Sequence, residues 1–273
     1  MDDIVKVAGT GLLVAAIRAR ENDRADALFR DPYAQRLAGT AGRRMLDAAL
    51  ESAGEPATLQ IVVRTRFFDE AVRSATATAR QVVVCAAGMD ARAYRLDWPP
   101  GTSVFELDQP AVLAAKAAAL ADETPRCRRV AVETDLTSRR WPDELRDAGF
   151  DAQAPSVWLV EGLLQYLRPE SVAQLFDCIT ALAAPGSTLL YDAVGQVLLE
   201  SPAMTALVES MAAQGAPWLF STDDPGALAA DRGWSATVTD IAEVGNRWER
   251  WFAPAVPMEV PGVPRGYFVE AHR

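Results

Sequence analysis

Two acidic residues stand where a parallel sheet would place the carboxyl ends of its strands. Asp108 closes Val104-Phe105-Glu106-Leu107-Asp108, and Glu161 closes Val157-Trp158-Leu159-Val160-Glu161. Twenty residues before Asp108 lies Gly88. It belongs to a stretch in which Val82, Val83 and Val84 read as a strand covered on both faces, and Ala86, Ala87 and Gly88 as a tight turn. An acid at the position of Asp108 can hold two ribose hydroxyls, and a turn of small residues lets a nucleotide-like molecule approach the main chain. The chemistry indicated is the binding of an adenosine-type cofactor beyond the carboxyl edge of an open α/β sheet. A dinucleotide fits less well, because the positions of G-x-G-x-x-G would be 86, 88 and 91, and these are Ala, Gly and Ala. A cofactor with a ribose and no phosphate fits better, and S-adenosylmethionine is one. The plain alternative is that Gly88 is only a turn and Asp108 only a helix cap before Pro110.

The elements that must position these residues follow from periodicity. Ile4, Val7, Ala8, Gly11, Leu12, Ala15 and Ala16 recur at helical spacing over 3–20. Asp31-Pro32 starts a second, short helix, and 43–52 and 58–78 read as further helices, so a helical cap spans 1–80. From 81 onward strands alternate with helices: strands at 81–86, 103–108, 129–133, 156–161 and 187–192, with helices such as 110–121 and 169–184. That rhythm predicts parallel strands joined by right-handed crossovers. Residues 195–232 read as a helical insertion, and 234–240 and 267–271 as two closing strands. The expected fold is α/β, a Rossmann-like, mostly parallel seven-stranded sheet of the class I methyltransferase type. Its parts are a helical cap (1–80), a cofactor-binding sheet (81–194), an insertion after the fifth strand (195–232) and closing strands (233–273), all in a single domain over 1–273.

Composition narrows the partners. The chain has 273 residues, half of them hydrophobic, enough for one large core. A formal charge of −10 disfavours nucleic acid. Cys85, Cys127 and Cys178 form no C-x-x-C pair, which suggests neither a metal site nor a disulfide framework. No segment has the length to span a membrane, and Asp2 and Asp3 stand where a secretory signal would be basic, so a cytoplasmic protein is expected.

With these pieces in order, the sequence resembles the leucine carboxyl methyltransferase-like family, and within it the bacterial relatives that esterify polyketide acids. The resemblance rests on Asp26-Ala27-Leu28-Phe29-Arg30-Asp31-Pro32-Tyr33, Arg64-Thr65-Arg66-Phe67-Phe68-Asp69 and Ala87-Gly88-Met89-Asp90-Ala91-Arg92-Ala93-Tyr94-Arg95-Leu96. It continues through Phe105-Glu106-Leu107-Asp108-Gln109-Pro110, Glu161-Gly162-Leu163-Leu164-Gln165-Tyr166-Leu167 and Gly262-Val263-Pro264-Arg265. Bacterial members usually carry G-A-G where this chain has Ala86-Ala87-Gly88, so the first glycine is lost. The resemblance implies S-adenosylmethionine as cofactor. By the same resemblance Arg64 pairs with the methionine carboxylate, Gly88 lies under methionine and ribose, and Asp108 holds the ribose. Asp135 and Leu136 read the adenine, and Glu161 faces the methionyl ammonium. Other fates stay open: Arg66 could take the place of Arg64, Asp135 could cap a loop, and Tyr166 could be core packing or a wall of the site.

Methyl transfer from a sulfonium is an in-line displacement in which the enzyme chiefly positions the reactants and excludes water. No single catalytic residue stands out, although Glu161 and Tyr166 fall near the transfer site. The only histidine, His272, is next to the C-terminus, which disfavours a histidine base. A carboxylate acceptor is already ionised at pH 7, whereas a hydroxyl needs a base. These points agree with esterification of a carboxylate, and the resemblance to the bacterial branch implies a small, largely apolar natural product as acceptor in preference to a protein C-terminal leucine. A hydroxyl O-methyltransferase is the alternative, and a non-catalytic S-adenosylmethionine-binding or dimerisation protein is the rival from another class. Leu12 to Ile17, Tyr33, Met204, Met211, Trp218 and Phe220 are expected to enclose the acceptor, with Arg24 or Arg168 as further candidates to meet its carboxylate. Nothing in the sequence indicates the oligomeric state.

Overall fold

The computed structural model describes residues 2–213 and 215–273, with the side chains of 2–8 and 57 outside the description. The side chains of Ile4, Val7 and Ala8 therefore lie outside the described residues. Seven strands, β1 (Gln81–Cys85), β2 (Ser103–Asp108), β3 (Arg128–Glu133), β4 (Ser156–Val160), β5 (Thr188–Val194), β6 (Ser235–Asp240) and β7 (Gly266–His272), form one sheet in the order β3-β2-β1-β4-β5-β7-β6. β1 to β5 pair in parallel, and β7 runs antiparallel between β5 and β6. This is the expected sheet.

β1, an interior strand of the sheet, shows why the consecutive valines matter. Val82 and Val84 enter one core, and Val83 and Cys85 the other, on opposite faces of the pleat. The first core is completed by three N-terminal helices, α1 (Asp2–Glu21), α2 (Ala34–Ala53) and α3 (Pro56–Ala75), through Ala15, Ile17, Leu37, Val63 and Val72. Phe67 of α3 stacks on Phe268 of β7 at 4.3 Å between ring centroids, and Phe68 meets the same ring edge-on. The second face is covered by α6 (Trp141–Asp147), α7 (Pro169–Leu182) and α10 (Ala227–Ala230), with Trp141, Phe176 and Ala229 fully buried. Two short helices, α4 (Arg92–Arg95) and α5 (Pro110–Ala119), follow the turns after β1 and β2.

Three local expectations change. Asp31 does not cap a helix at Pro32: its carboxylate accepts from Tyr33 N in a turn, and the helix begins at Ala34. Gly39 then breaks that helix with φ +57°, so the short helix expected after Pro32 and the one expected at 43–52 are two parts of a kinked α2. The insertion is less helical than its composition suggests. It holds α8 (Gln196–Leu199), a 3-10 turn, α9 (Thr205–Ala213) and α10, and α9 contributes no buried residue. Helices α6 and α11 (Ile241–Arg247) went unpredicted, since seven residues are too few to show a period.

Candidate functional site

A cavity of about 260 Å³ opens along the carboxyl edge of β1, β2 and β4, roofed by α1. Arg64, Gly88, Asp108, Asp135, Leu136, Glu161 and Tyr166 all line it. Residues as far apart in the chain as Thr10 and Leu167 thus converge on one space.

At the first turn, Asp108 ends β2 beside the turn that follows β1. Its Oδ2 accepts from Gly88 N at 2.6 Å and its Oδ1 from Gln109 N at 2.7 Å. Burial raises its pKa above the ordinary Asp range, and the two N–H donors only partly offset that. Asp108 is a pinned acceptor at the lip of the cavity. Ala86, where a glycine was expected, adopts φ +54°, and Gly88 adopts φ +44°. The chain thus keeps the backbone shape of a glycine turn at the cost of a left-handed alanine. That cost, about 1–2 kcal/mol, exceeds the 0.4–1 kcal/mol of unfolded-state entropy that glycine adds. Ala86→Gly is therefore expected to stabilise the protein by about 0.5–1 kcal/mol, read as a Tm rise of roughly 1–4 °C by calorimetry.

The opposite wall is built from arginines and acids in alternation. Arg64 Nε meets Glu161 Oε1 at 3.0 Å and its Nη1 meets Asp192 Oδ2 at 3.1 Å. Asp192 also accepts from Gly162 N at 2.6 Å, and burial raises its pKa in spite of both partners. Arg92 Nη1 lies 2.8 Å from Glu161 Oε2, its Nε bonds Asp69 Oδ1 at 2.8 Å, and it pairs with Asp90. Arg95 grips both oxygens of Asp69 at 2.5 and 2.6 Å. Arg18 from α1 joins Asp31 at 2.8 Å and donates to the Met89 carbonyl at 2.5 Å. Burial opposes ionisation of Asp90, but Arg92, then Lys116 and Arg95, hold it at about 2. Gly162 adopts φ +64°, and a Cβ there would stand 2.9 Å from Arg64 Nη1, so glycine leaves the guanidinium its room.

One atom of this network is left over. Glu161 Oε2 is buried and, although near Arg92, has no aligned hydrogen bond among the described residues. An acceptor of that kind, beside a charged arginine wall and a pinned carboxylate across the cavity, suits an amino-acid head carrying both an ammonium and a carboxylate. The polar set therefore fits the amino-acid and ribose ends of S-adenosylmethionine.

Several sequence alternatives resolve. Arg64 is buried in the cavity wall, whereas Arg66 pairs with Glu70 and bonds the Leu28 carbonyl. Asp135 does cap its loop, accepting from Thr137 N at 2.9 Å and Thr137 Oγ1 at 2.7 Å, and it lines the cavity as well. Tyr166 is a wall residue in a 3-10 turn (Leu164–Tyr166), with its ring edge-on to Trp218 at 6.4 Å. Of the expected enclosing residues, Val14 of the 12–17 segment borders the cavity, while Tyr33, Met204, Met211, Trp218 and Phe220 do not. Tyr33 packs on Tyr94 instead, and Trp218 reaches the site only through Tyr166. Arg24 pairs with Asp26, and neither it nor Arg168 borders the cavity. His272 faces Thr188 at the opposite end of β5 from the site.

Thr10, Gly11, Arg18, Arg92, Asp69 and Asp192 belong to the site or its support and were not singled out in the sequence. Arg92 and Asp69 did lie inside the quoted motifs, and Asp192 closes the expected strand 187–192, the positional signal that marked Asp108 and Glu161.

A sheet of this order, with an acid ending β2 beside a small-residue turn after β1, defines the class I S-adenosylmethionine-dependent methyltransferase fold. The chain belongs to the leucine carboxyl methyltransferase family, whose model matches residues 11–180. Among its relatives, a Mycolicibacterium vanbaalenii protein is 39% identical over all of this chain and 96% of its own length. A Mycobacterium tuberculosis protein is 41% identical over all of this chain and 90% of its own length. Both are provisionally named S-adenosyl-L-methionine-dependent methyltransferases. Among solved structures, a Thermobifida fusca protein, provisionally a methyltransferase, superposes with a TM-score of 0.64 at 19% identity, covering 96% of this chain and 94% of its own. A DUF574 family protein from Streptomyces avermitilis gives 0.61 at 14% identity, covering 95% and 96%. At such identities these two speak for the fold.

Proposed function

We propose that this protein is an S-adenosylmethionine-dependent O-methyltransferase that esterifies a carboxylate of a small, apolar natural product. The observation that carries the acceptor class is the make-up of the wall: Arg18, Arg64, Arg92 and Arg95 border the cavity, and neither Cys85 nor Asp90 beside them suits a general base. Cys85 is pushed up to about 12 by burial, Asp90 is held at about 2, and the only histidine lies at the far end of the sheet. An acceptor that must lose a proton finds little help from these groups, while one already ionised needs only to be held.

In this reading Arg64 binds the methionine carboxylate through the part of its guanidinium not engaged by Glu161 and Asp192. Glu161 takes the ammonium on Oε2, which has no aligned hydrogen bond among the described residues, Gly88 gives the main-chain approach, and Asp108 accepts from the ribose hydroxyls. Asp135 and Leu136 border the adenine. The bound cofactor supplies an electrophilic methyl group on a sulfonium. The chain's own contribution is to orient donor and acceptor, exclude water through α1 and Tyr166, and keep the arginine wall charged.

The test is titration calorimetry with S-adenosylmethionine, followed by incubation with a panel of carboxylic acids and detection of methyl esters by mass spectrometry. Ester formation supports the reading. Turnover only with phenols or alcohols, at a rate climbing with pH, supports the hydroxyl alternative, and binding without turnover on any acid supports a non-catalytic role.

The pH dependence of binding has a definite sign. Asp108 is the stronger acceptor for the ribose hydroxyls as a carboxylate, and its folded-state pKa is raised by burial. Affinity is therefore full above that raised value and is lost as pH falls through it. Calorimetry across acidic pH is expected to show this fall in the wild type and its absence in Asp108→Asn, whose affinity is already low at neutral pH.

A further inference from the structure

The Ala86-Ala87-Gly88 turn is held from behind by charges that do not touch the cavity. Lys116 on α5 is fully buried; its Nζ lies 2.9 Å from Glu106 Oε2 on β2 and donates to the Ala87 carbonyl at 3.2 Å. Arg129 on β3 reaches the same Glu106 oxygen at 2.6 Å. Neither Lys116 nor Glu106 borders the cavity. Lysine is almost never fully buried unless paired, and a buried ion pair adds little stability over apolar residues of similar size. What an ammonium can do there, and a methionine cannot, is hold one chosen carbonyl.

That carbonyl belongs to a residue clamped at both ends. Ala87 N donates to the Leu107 carbonyl at 3.0 Å, and the Ala87 carbonyl accepts from Asp90 N at 2.8 Å as well as from Lys116. With both peptide planes of Ala87 fixed, β1 enters the turn through the positive φ of Ala86, and the next N–H, that of Gly88, is delivered to Asp108 Oδ2 at 2.6 Å. Lys116 also favours the charged form of Asp108, against the opposing influence of Glu106.

We infer that Lys116, charge-balanced by Glu106 and Arg129, is the positioning residue of the cofactor turn: it holds Ala86 left-handed and so sets the Gly88 N–H and the Asp108 carboxylate. The inference rests on the cofactor reading above. It explains how an alanine holds a left-handed turn: the clamp supplies what a glycine would allow freely.

Lys116→Met is the first test, because Glu106 keeps Arg129 as partner. It is expected to raise the calorimetric Kd for S-adenosylmethionine about tenfold. In cofactor-free protein it is expected to speed amide exchange in the 83–90 peptide and leave the 156–160 peptide of β4 unchanged. Adding Ala86→Gly to Lys116→Met is expected to restore most of the affinity, since glycine takes positive φ unaided. Glu106→Gln, which leaves Lys116 an oxygen, covers the case in which Lys116→Met does not fold, and should raise the Kd about threefold. A folded Lys116→Met with unchanged Kd and unchanged exchange overturns the inference, as does a loss of affinity that Ala86→Gly leaves untouched. If the wild type binds no cofactor while Lys116→Met still loosens the 83–90 peptide, the cofactor reading fails and the positioning of the turn stands.

Discussion

Glu161→Gln is expected to weaken S-adenosylmethionine binding by about two orders of magnitude, because it removes a buried charge that serves three partners at once. One oxygen holds Arg64 Nε at 3.0 Å, the other lies 2.8 Å from Arg92 Nη1 without an aligned hydrogen bond among the described residues, and that second oxygen is the acceptor assigned to the ammonium. The fold should survive the change. Arg64 retains Asp192, and Arg92 retains Asp69 and Asp90, so no guanidinium is left without a carboxylate. Calorimetry would read the loss directly, and a thermal melt of the cofactor-free variant would show whether stability moved with it. Arg66→Met is the control, since Arg66 pairs at the surface with Glu70 and should change the Kd little. An unchanged Kd in Glu161→Gln would sink the assignment of the ammonium site.

The second large effect is on stability. Asp69→Asn is expected to cost roughly 3–5 kcal/mol and lower Tm by roughly 10 °C, because Asp69 is the buried anion between two buried arginines. Burial alone would raise its pKa, but Arg95 and Arg92 together hold it below the ordinary carboxylate range. Once it is neutral, Arg95 is left with Asp31 at 3.7 Å and with a buried Nε that already lacks a hydrogen bond among the described residues. Differential scanning calorimetry at neutral pH measures the loss. The wild type should show the related acid sensitivity. Asp69 and Asp90 are lowered in the folded protein, so their contribution is present above the ordinary Asp range and is lost as pH falls through their folded values, about 2 for Asp90. A melt of Asp69→Asn within a degree or two of the wild type would mean that the arginines find other partners.

Much of the frame was legible along the chain because its signals are local. A run such as Val82-Val83-Val84 reports a strand buried on both faces, and the alternation of such runs with helices reports parallel strands. Once those strands exist, an acid directly after one must stand at the carboxyl edge of the sheet, which is why Asp108 and Glu161 could be singled out from position alone. Family resemblance added Arg64, Asp135 and Leu136, residues whose local context was equally suited to a surface charge or a loop cap.

The tertiary structure alone decided which charges work together. Arg64 and Arg66 are two residues apart and equivalent on paper, yet helix periodicity turns one toward Glu161 and Asp192 and the other toward Glu70. The same holds for Lys116, an unremarked lysine in an alanine-rich helix until the packing of α5 behind the turn sets it against Glu106 and Ala87. Met204 and Met211 were apolar enough to suggest an acceptor wall, but apolarity carries no direction, and the insertion lies outside the cavity. Composition and period determine which elements form and where their ends fall. Ion pairs and enclosure depend on contacts between residues tens of positions apart, whose energies come into being only when the sheet has brought them within a few ångströms.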